Sequence, residues 1–127
     1  MTTFPLSSTV THYPQHIPYQ DIKEAILGKR YELSLALIGQ TRAATLNREY
    51  RNKSYSPNVL SFPLTDRQGE IFICPYVAKR EAAKFDLSQD GYVGYLFIHG
   101  CLHLKGYDHG ATMEKQEQRL LRTFTIT

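Results

Sequence analysis

Hydrophobic and polar positions along the chain fall into helix-like and strand-like stretches that do not alternate strictly. From Ile17 to Gly28, Ile22, Ala25 and Ile26 share one side and Gly28 marks a stop, which predicts a helix. Tyr31 to Ile38 reads as a strand. Thr41 to Asn52 is helical again, with Ala43, Leu46, Asn47 and Tyr50 at helical spacing and Arg42, Arg48 and Arg51 turned toward solvent or a cleft. Asn58 to Phe62 and Glu70 to Cys74 are short β-rich runs separated by a polar stretch from Asp66 to Gly69, as in a hairpin. Pro75 opens a helix that runs through Phe85. The polar first sixteen residues, with Pro5 and Pro14, leave room for one short strand around Val10.

The next stretch is different in kind. Tyr92, Val93, Tyr95, Leu96, Phe97 and Ile98 make a helix apolar on nearly every side, so it belongs in the centre of the core, with Asp90 as the expected cap. A last helix covers Met113 to Phe124. The expected fold class is α+β, a single small mixed β-sheet covered by helices with a buried central helix. Across residues 1–127 there is no repeat, low-complexity tract or linker, and the expectation is a single domain.

That central helix carries chemistry. His99 and His103 in HGCLHLKGYDH are four apart, which puts both imidazoles on one helix face. Gly106 ends the helix and lets the chain turn, so that His109 arrives as a third nitrogen ligand. Three imidazoles and no fourth protein ligand describe an open tetrahedral zinc site with room for water, the kind associated with catalysis. One Zn2+ per chain is expected. His12 and His16 lie outside the cluster and read as surface or satisfied polar residues.

The histidine and glycine positions match the HExxHxxGxxH pattern of metzincin proteases, but Gly100 stands where those enzymes carry their general base. Zinc-bound water of lowered pKa still suits a substrate that needs charge neutralisation more than a base, such as a phosphodiester. A second constellation points the same way. Arg42, Arg48, Arg51 and Lys53 stand against Glu49 in one stretch, in a chain whose 15 basic and 12 acidic residues give a net charge of +3. Arginine forks suit bidentate phosphate contacts, although from this stretch alone a solvated helix face is the plainer reading. Tyr50 and Tyr55 interleave with the cations and could stack on bases, but isolated aromatics are more often packing residues.

Composition adds limits. The 42% of hydrophobic residues suffices for a core without staples, and Cys74 and Cys101 read as buried thiols rather than metal ligands or a disulfide. No apolar run approaches the ~20 residues of a membrane span, and no export signal is recognisable, so no membrane partner and a cytoplasmic location are expected.

HGCLHLKGYDH, LNREYRNK, NVLSFP and GEIFI, in that order over roughly the last two-thirds of the chain, resemble the YbeY family of bacterial rRNA maturation factors. The resemblance implies a single-strand-specific, metal-dependent endoribonuclease acting in rRNA maturation and ribosome quality control. It implies zinc on His99, His103 and His109, and Arg51 facing the metal across a basic cleft as the catalytic side chain. Arg42, Arg48 and Lys53 would then bind the backbone of rRNA or other single-stranded RNA, with ribosomal proteins as further candidate partners. Asp108 is a candidate to orient a ligand histidine, though capping or surface solvation is at least as good a reading of it. The chain departs from the family pattern at Ser54, at Ser56 and Pro57, and at Gly110, which bears on contacts along the cleft rim.

Two alternatives remain. A zinc-dependent metallopeptidase-like hydrolase would need a base brought from elsewhere, such as Glu70, Asp108 or Glu114. A non-catalytic ribosome-associated RNA- or protein-binding factor would use the metal only to hold its cleft in shape.

Overall fold

Among the described residues, four strands and five α-helices follow one another as β1 (Leu6–Ser8), α1 (Tyr19–Leu27), β2 (Glu32–Leu37), α2 (Gln40–Arg51), β3 (Val59–Thr65), β4 (Gln68–Ile73), α3 (Pro75–Glu81), α4 (Gln89–Lys105) and α5 (Ala111–Thr123). The structure, a computed structural model, describes residues 5–10 and 13–127. The reading of His12 lies outside the described residues; His16 is exposed, 3.9 Å from Asp90.

The sheet order is β1-β2-β4-β3. β1, β2 and β4 run parallel and β3 runs antiparallel to β4, so the sheet is mixed as expected. Period-two alternation gives it two apolar faces. Leu33, Leu35, Leu37, Ile71 and Ile73 enter the main core beneath α1 and α4. Ala36, Leu60, Phe62 and Phe72 look the other way, onto Ala43 and Leu46 of α2. α4 is buried through Tyr92, Val93, Leu96, Phe97, Ile98, Cys101 and Leu102, which is why it reads as apolar all round. Cys74 and Cys101 are free and buried in different clusters.

Several boundaries move, each for a local reason. β3 and β4 extend further into the turn than their apolar runs suggest, because ladder hydrogen bonds continue once the hairpin is closed. Pro63 sits inside β3 because β3 is an edge strand and its register shifts between Pro63 and Thr65. The strand expected around Val10 lies earlier, at Leu6–Ser8, where it pairs with Leu35–Leu37. The helix from Pro75 tightens into a 3-10 turn at Ala82–Phe85. Ser88 caps α4 rather than Asp90, its Oγ accepting the Gly91 N–H at 2.9 Å. Asp90 lies in the first turn, where its charge suits the helix dipole. Tyr50 is exposed, its ring 5.4 Å from that of Phe62 rather than inside the core.

Candidate metal centre

α4 delivers His99 and His103 from one face, with ring centroids 4.6 Å apart. At its end Gly106 takes φ +115°, a conformation that favours glycine. The Gly106 N–H bonds the His103 and Leu102 carbonyls at 3.0 and 3.2 Å, and the Tyr107 N–H returns to Leu102 at 3.0 Å. The chain therefore doubles back, and the His109 ring reaches 4.5 Å from His103 and 5.1 Å from His99. One nitrogen from each of the three lies within 4.8 Å of the others.

Hydrogen bonding decides which nitrogens point inward. His99 Nδ1 lies 2.5 Å from Glu117 Oε2, and His103 Nδ1 lies 3.0 Å from the Tyr107 carbonyl oxygen. Both partners are acceptors, so Nδ1 is the donating nitrogen of each ring and Nε2 is the one left to take a metal. Those two Nε2 atoms face one another at 3.1 Å. Two lone pairs at that distance repel unless a proton or a metal cation lies between them. Nitrogens bound at 2.0–2.1 Å to a tetrahedral zinc are about 3.3 Å apart, so the pair already has the bite such an ion requires. Burial, followed by the neighbouring His99, pulls the His103 pKa below the usual imidazole range and favours the neutral, ligating form.

Glu117 is absent from the sequence-derived set, although a carboxylate at its position interrupts the apolar stripe Met113, Leu120, Leu121 of α5. Asp108, the candidate for orienting a histidine, is exposed and has no hydrogen bond among the described residues. It precedes His109 on the solvent side, whereas Glu117 is buried. Tyr107 acts through its carbonyl while its side chain packs on the core.

Gly100 is accounted for by packing. An added Cβ would lie 3.0 and 3.3 Å from Ile71 side-chain carbons and 3.3 Å from Ser61 Oγ, and Ser61 Oγ donates to the Gly100 carbonyl at 2.8 Å. The position one residue after the first histidine therefore faces the sheet. Glu70, Asp108 and Glu114 make no hydrogen bond or ion pair with the histidines among the described residues.

Arg42, Arg48, Arg51 and Lys53 are all exposed, and none has a carboxylate partner among the described residues. α2 packs on the sheet face opposite α4, and no hydrogen bond or ion pair among the described residues joins these cations to the histidines. The link between them is β3. The segment after α2 is held by buried Asn47, whose Nδ2 donates to the Tyr55 carbonyl at 3.0 Å, and it leads into the strand that meets α4 at Ser61.

The sequence model of the family described as Endoribonuclease YbeY matches residues 6–125. The chain belongs to that family. It is 38% identical over 110 residues to the Endoribonuclease YbeY of Neisseria meningitidis serogroup B, covering 74% of this chain and 65% of that protein, just under two thirds of its length. The Endoribonuclease YbeY of Methylobacillus flagellatus is 32% identical over 116 residues, covering 89% of this chain and 78% of that protein. The solution structure of a Thermotoga maritima protein has the same fold, with a TM-score of 0.68 and 24% identity over 94% of this chain and 87% of that one. No helix among the described residues is long and apolar enough to cross a membrane.

Proposed function

We propose that this YbeY family member is a zinc-dependent endoribonuclease that cuts single-stranded RNA during rRNA maturation in the cytoplasm, residues 1–127 acting as one domain. The observation that carries this reading is the pair of facing Nε2 atoms of His99 and His103 at 3.1 Å, with His109 beside them. Zinc held there would supply Lewis acidity and a water of lowered pKa.

The protein's own residues do the rest. Arg51, at the end of α2 and without a carboxylate partner, takes up the negative charge that develops on the phosphoryl oxygens. Arg48, Lys53 and Arg42 pair with backbone phosphates, so binding weakens as salt rises. RNA runs from this basic segment past β3 to the metal centre. Gly100 lacks the glutamate a metzincin peptidase needs, a side chain there would crowd Ile71 and Ser61, and Glu70, Asp108 and Glu114 make no bond to the histidines among the described residues, which favours the phosphodiester over the peptide as substrate.

Metal analysis and cleavage assays on single-stranded and duplex RNA test the proposal together. About one zinc per chain and selective cutting of single strands are expected. Arg51→Ala should slow cleavage about 10²–10³-fold with zinc retained, the scale for loss of one preorganised electrostatic donor. Arg42→Ala should weaken binding and flatten its salt dependence with little effect on the bound-state rate. Zinc-loaded protein that hydrolyses peptides and leaves RNA intact would refute the reading; equal, salt-reversible losses in both variants would refute the role of Arg51.

A further inference from the structure

Glu117 is a carboxylate in an unusual position. It is 3% exposed on α5, and no lysine or arginine pairs with it among the described residues. Its Oε2 meets His99 Nδ1 at 2.5 Å, while its Oε1 accepts from the Tyr95 hydroxyl at 3.4 Å. A buried carboxylate without a cation is expensive, so its counter-charge must come through His99. A neutral imidazole alone does not provide one, whereas a protonated imidazole does. An imidazole whose other nitrogen holds a divalent cation does as well, because the cation polarises the Nδ1–H toward the carboxylate.

Tyr95 completes the arrangement. Its hydroxyl is the donor of the bond to Glu117, because a carboxylate oxygen can only accept. The Tyr95 ring also lies 6.0 Å from the His99 ring and flanks it on α4. His99 is thus held by a carboxylate at one nitrogen and an aromatic neighbour beside it, and only Nε2 remains to bind.

We propose that Glu117, seated by Tyr95, is the positioning residue of the metal centre: it fixes His99 in the tautomer with Nε2 free and supplies a negative charge behind the ion. The inference rests on the zinc reading above. α5 then serves the site twice, because the turn before it carries His109 and its second turn carries Glu117. Metal binding and the docking of α5 on α4 are coupled through this bond.

Zinc affinity measured by competition with a chromophoric chelator tests the assignment. Glu117→Gln keeps the size and removes the charge, and affinity should fall about 10–100-fold, the usual effect of losing a carboxylate behind a ligand histidine. Glu114→Gln, one turn earlier and exposed, should leave it unchanged. Tyr95→Phe should fall between the two. Nitrogen-15 NMR of the imidazoles gives a reading that does not depend on the variant folding: in wild type, with and without zinc, His99 should be the Nδ1–H tautomer with a downfield, slowly exchanging proton. Equal zinc affinity in Glu117→Gln and Glu114→Gln, or a wild-type His99 protonated at Nε2, overturns the proposal. Wild-type protein that takes up no zinc refutes the metal reading instead, and the tautomer measurement still decides the role of Glu117.

Discussion

Gly100 offers the sharpest test of how the metal helix is seated. Replacing it by Ala adds one methyl group 3.0 Å from Ile71 Cδ1 and 3.3 Å from both Ile71 Cγ2 and Ser61 Oγ. Two effects oppose each other. Alanine is favoured over glycine inside a helix by about 1 kcal/mol. Forcing a methyl into a filled core costs about 1–3 kcal/mol, and here the neighbour is Ile71, which is 0% exposed and cannot swing into solvent. Packing should win, by about 1 kcal/mol, which for a chain of this size lowers the melting temperature by about 4 °C. Gly100→Glu is far worse, because its carboxylate would be pressed against Ile71 without a partner. Its total of more than about 4 kcal/mol consumes much of a normal folding free energy of 5–15 kcal/mol. Thermal and urea unfolding in the presence of a chelator, with the metal's own contribution removed, measures both. A melting temperature raised by Gly100→Ala, or a Gly100→Glu protein as stable as wild type, would refute the claim that this helix face is closed by the sheet.

Other expectations follow from the same geometry. His103→Ala removes the nitrogen that faces His99 at 3.1 Å, so zinc content should drop sharply; undiminished stoichiometric zinc by elemental analysis would sink the three-histidine site. Asn47→Ala removes the bond to the Tyr55 carbonyl from a fully buried position and should cost about 2 kcal/mol, with faster amide exchange across residues 52–58; an unchanged urea midpoint would count against it. His103 titrates below the ordinary imidazole value when folded, chiefly through burial, so the unfolded chain binds its proton first. In chelated protein its contribution should be present above pH ~6.5 and lost as the pH falls below that, and a His103→Gln protein with the wild-type pH profile would contradict this.

The elements legible in the sequence are those whose periodicity a single face explains. α1, α2 and α4 have stops at Gly28, Asn52 and Gly106, each with positive φ, and so their ends were marked by residues that suit that backbone. β3 is different. Pro63 argues against a continuing strand unless the strand is known to be an edge, and edge status depends on the order β1-β2-β4-β3, which no local pattern contains. Ser88 was eclipsed by Asp90 as a cap because both residue types fit; only the backbone at Ser88, φ −64° and ψ 165°, separates them.

The same division runs through the site. His99, His103 and Gly106 are local, within one helix and its exit, and spacing alone brings them together. Glu117 is eighteen positions from His99 and meets it only because α5 packs back on α4, so spacing to the histidines carries no trace of it. What the sequence does carry is an anomaly: Met113, Leu120 and Leu121 form the buried face of α5, and Glu117 lies on that face. An acidic residue inside an apolar stripe must find a partner or neutralise, because leaving it charged and alone in the core costs several kcal/mol. The partner must also be positive or strongly polarised, and where no lysine or arginine among the described residues pairs with it, a histidine cluster is the group that answers. A carboxylate that breaks the periodicity of one helix is thereby a pointer to histidines on another, even where the distance between them in the chain gives no hint.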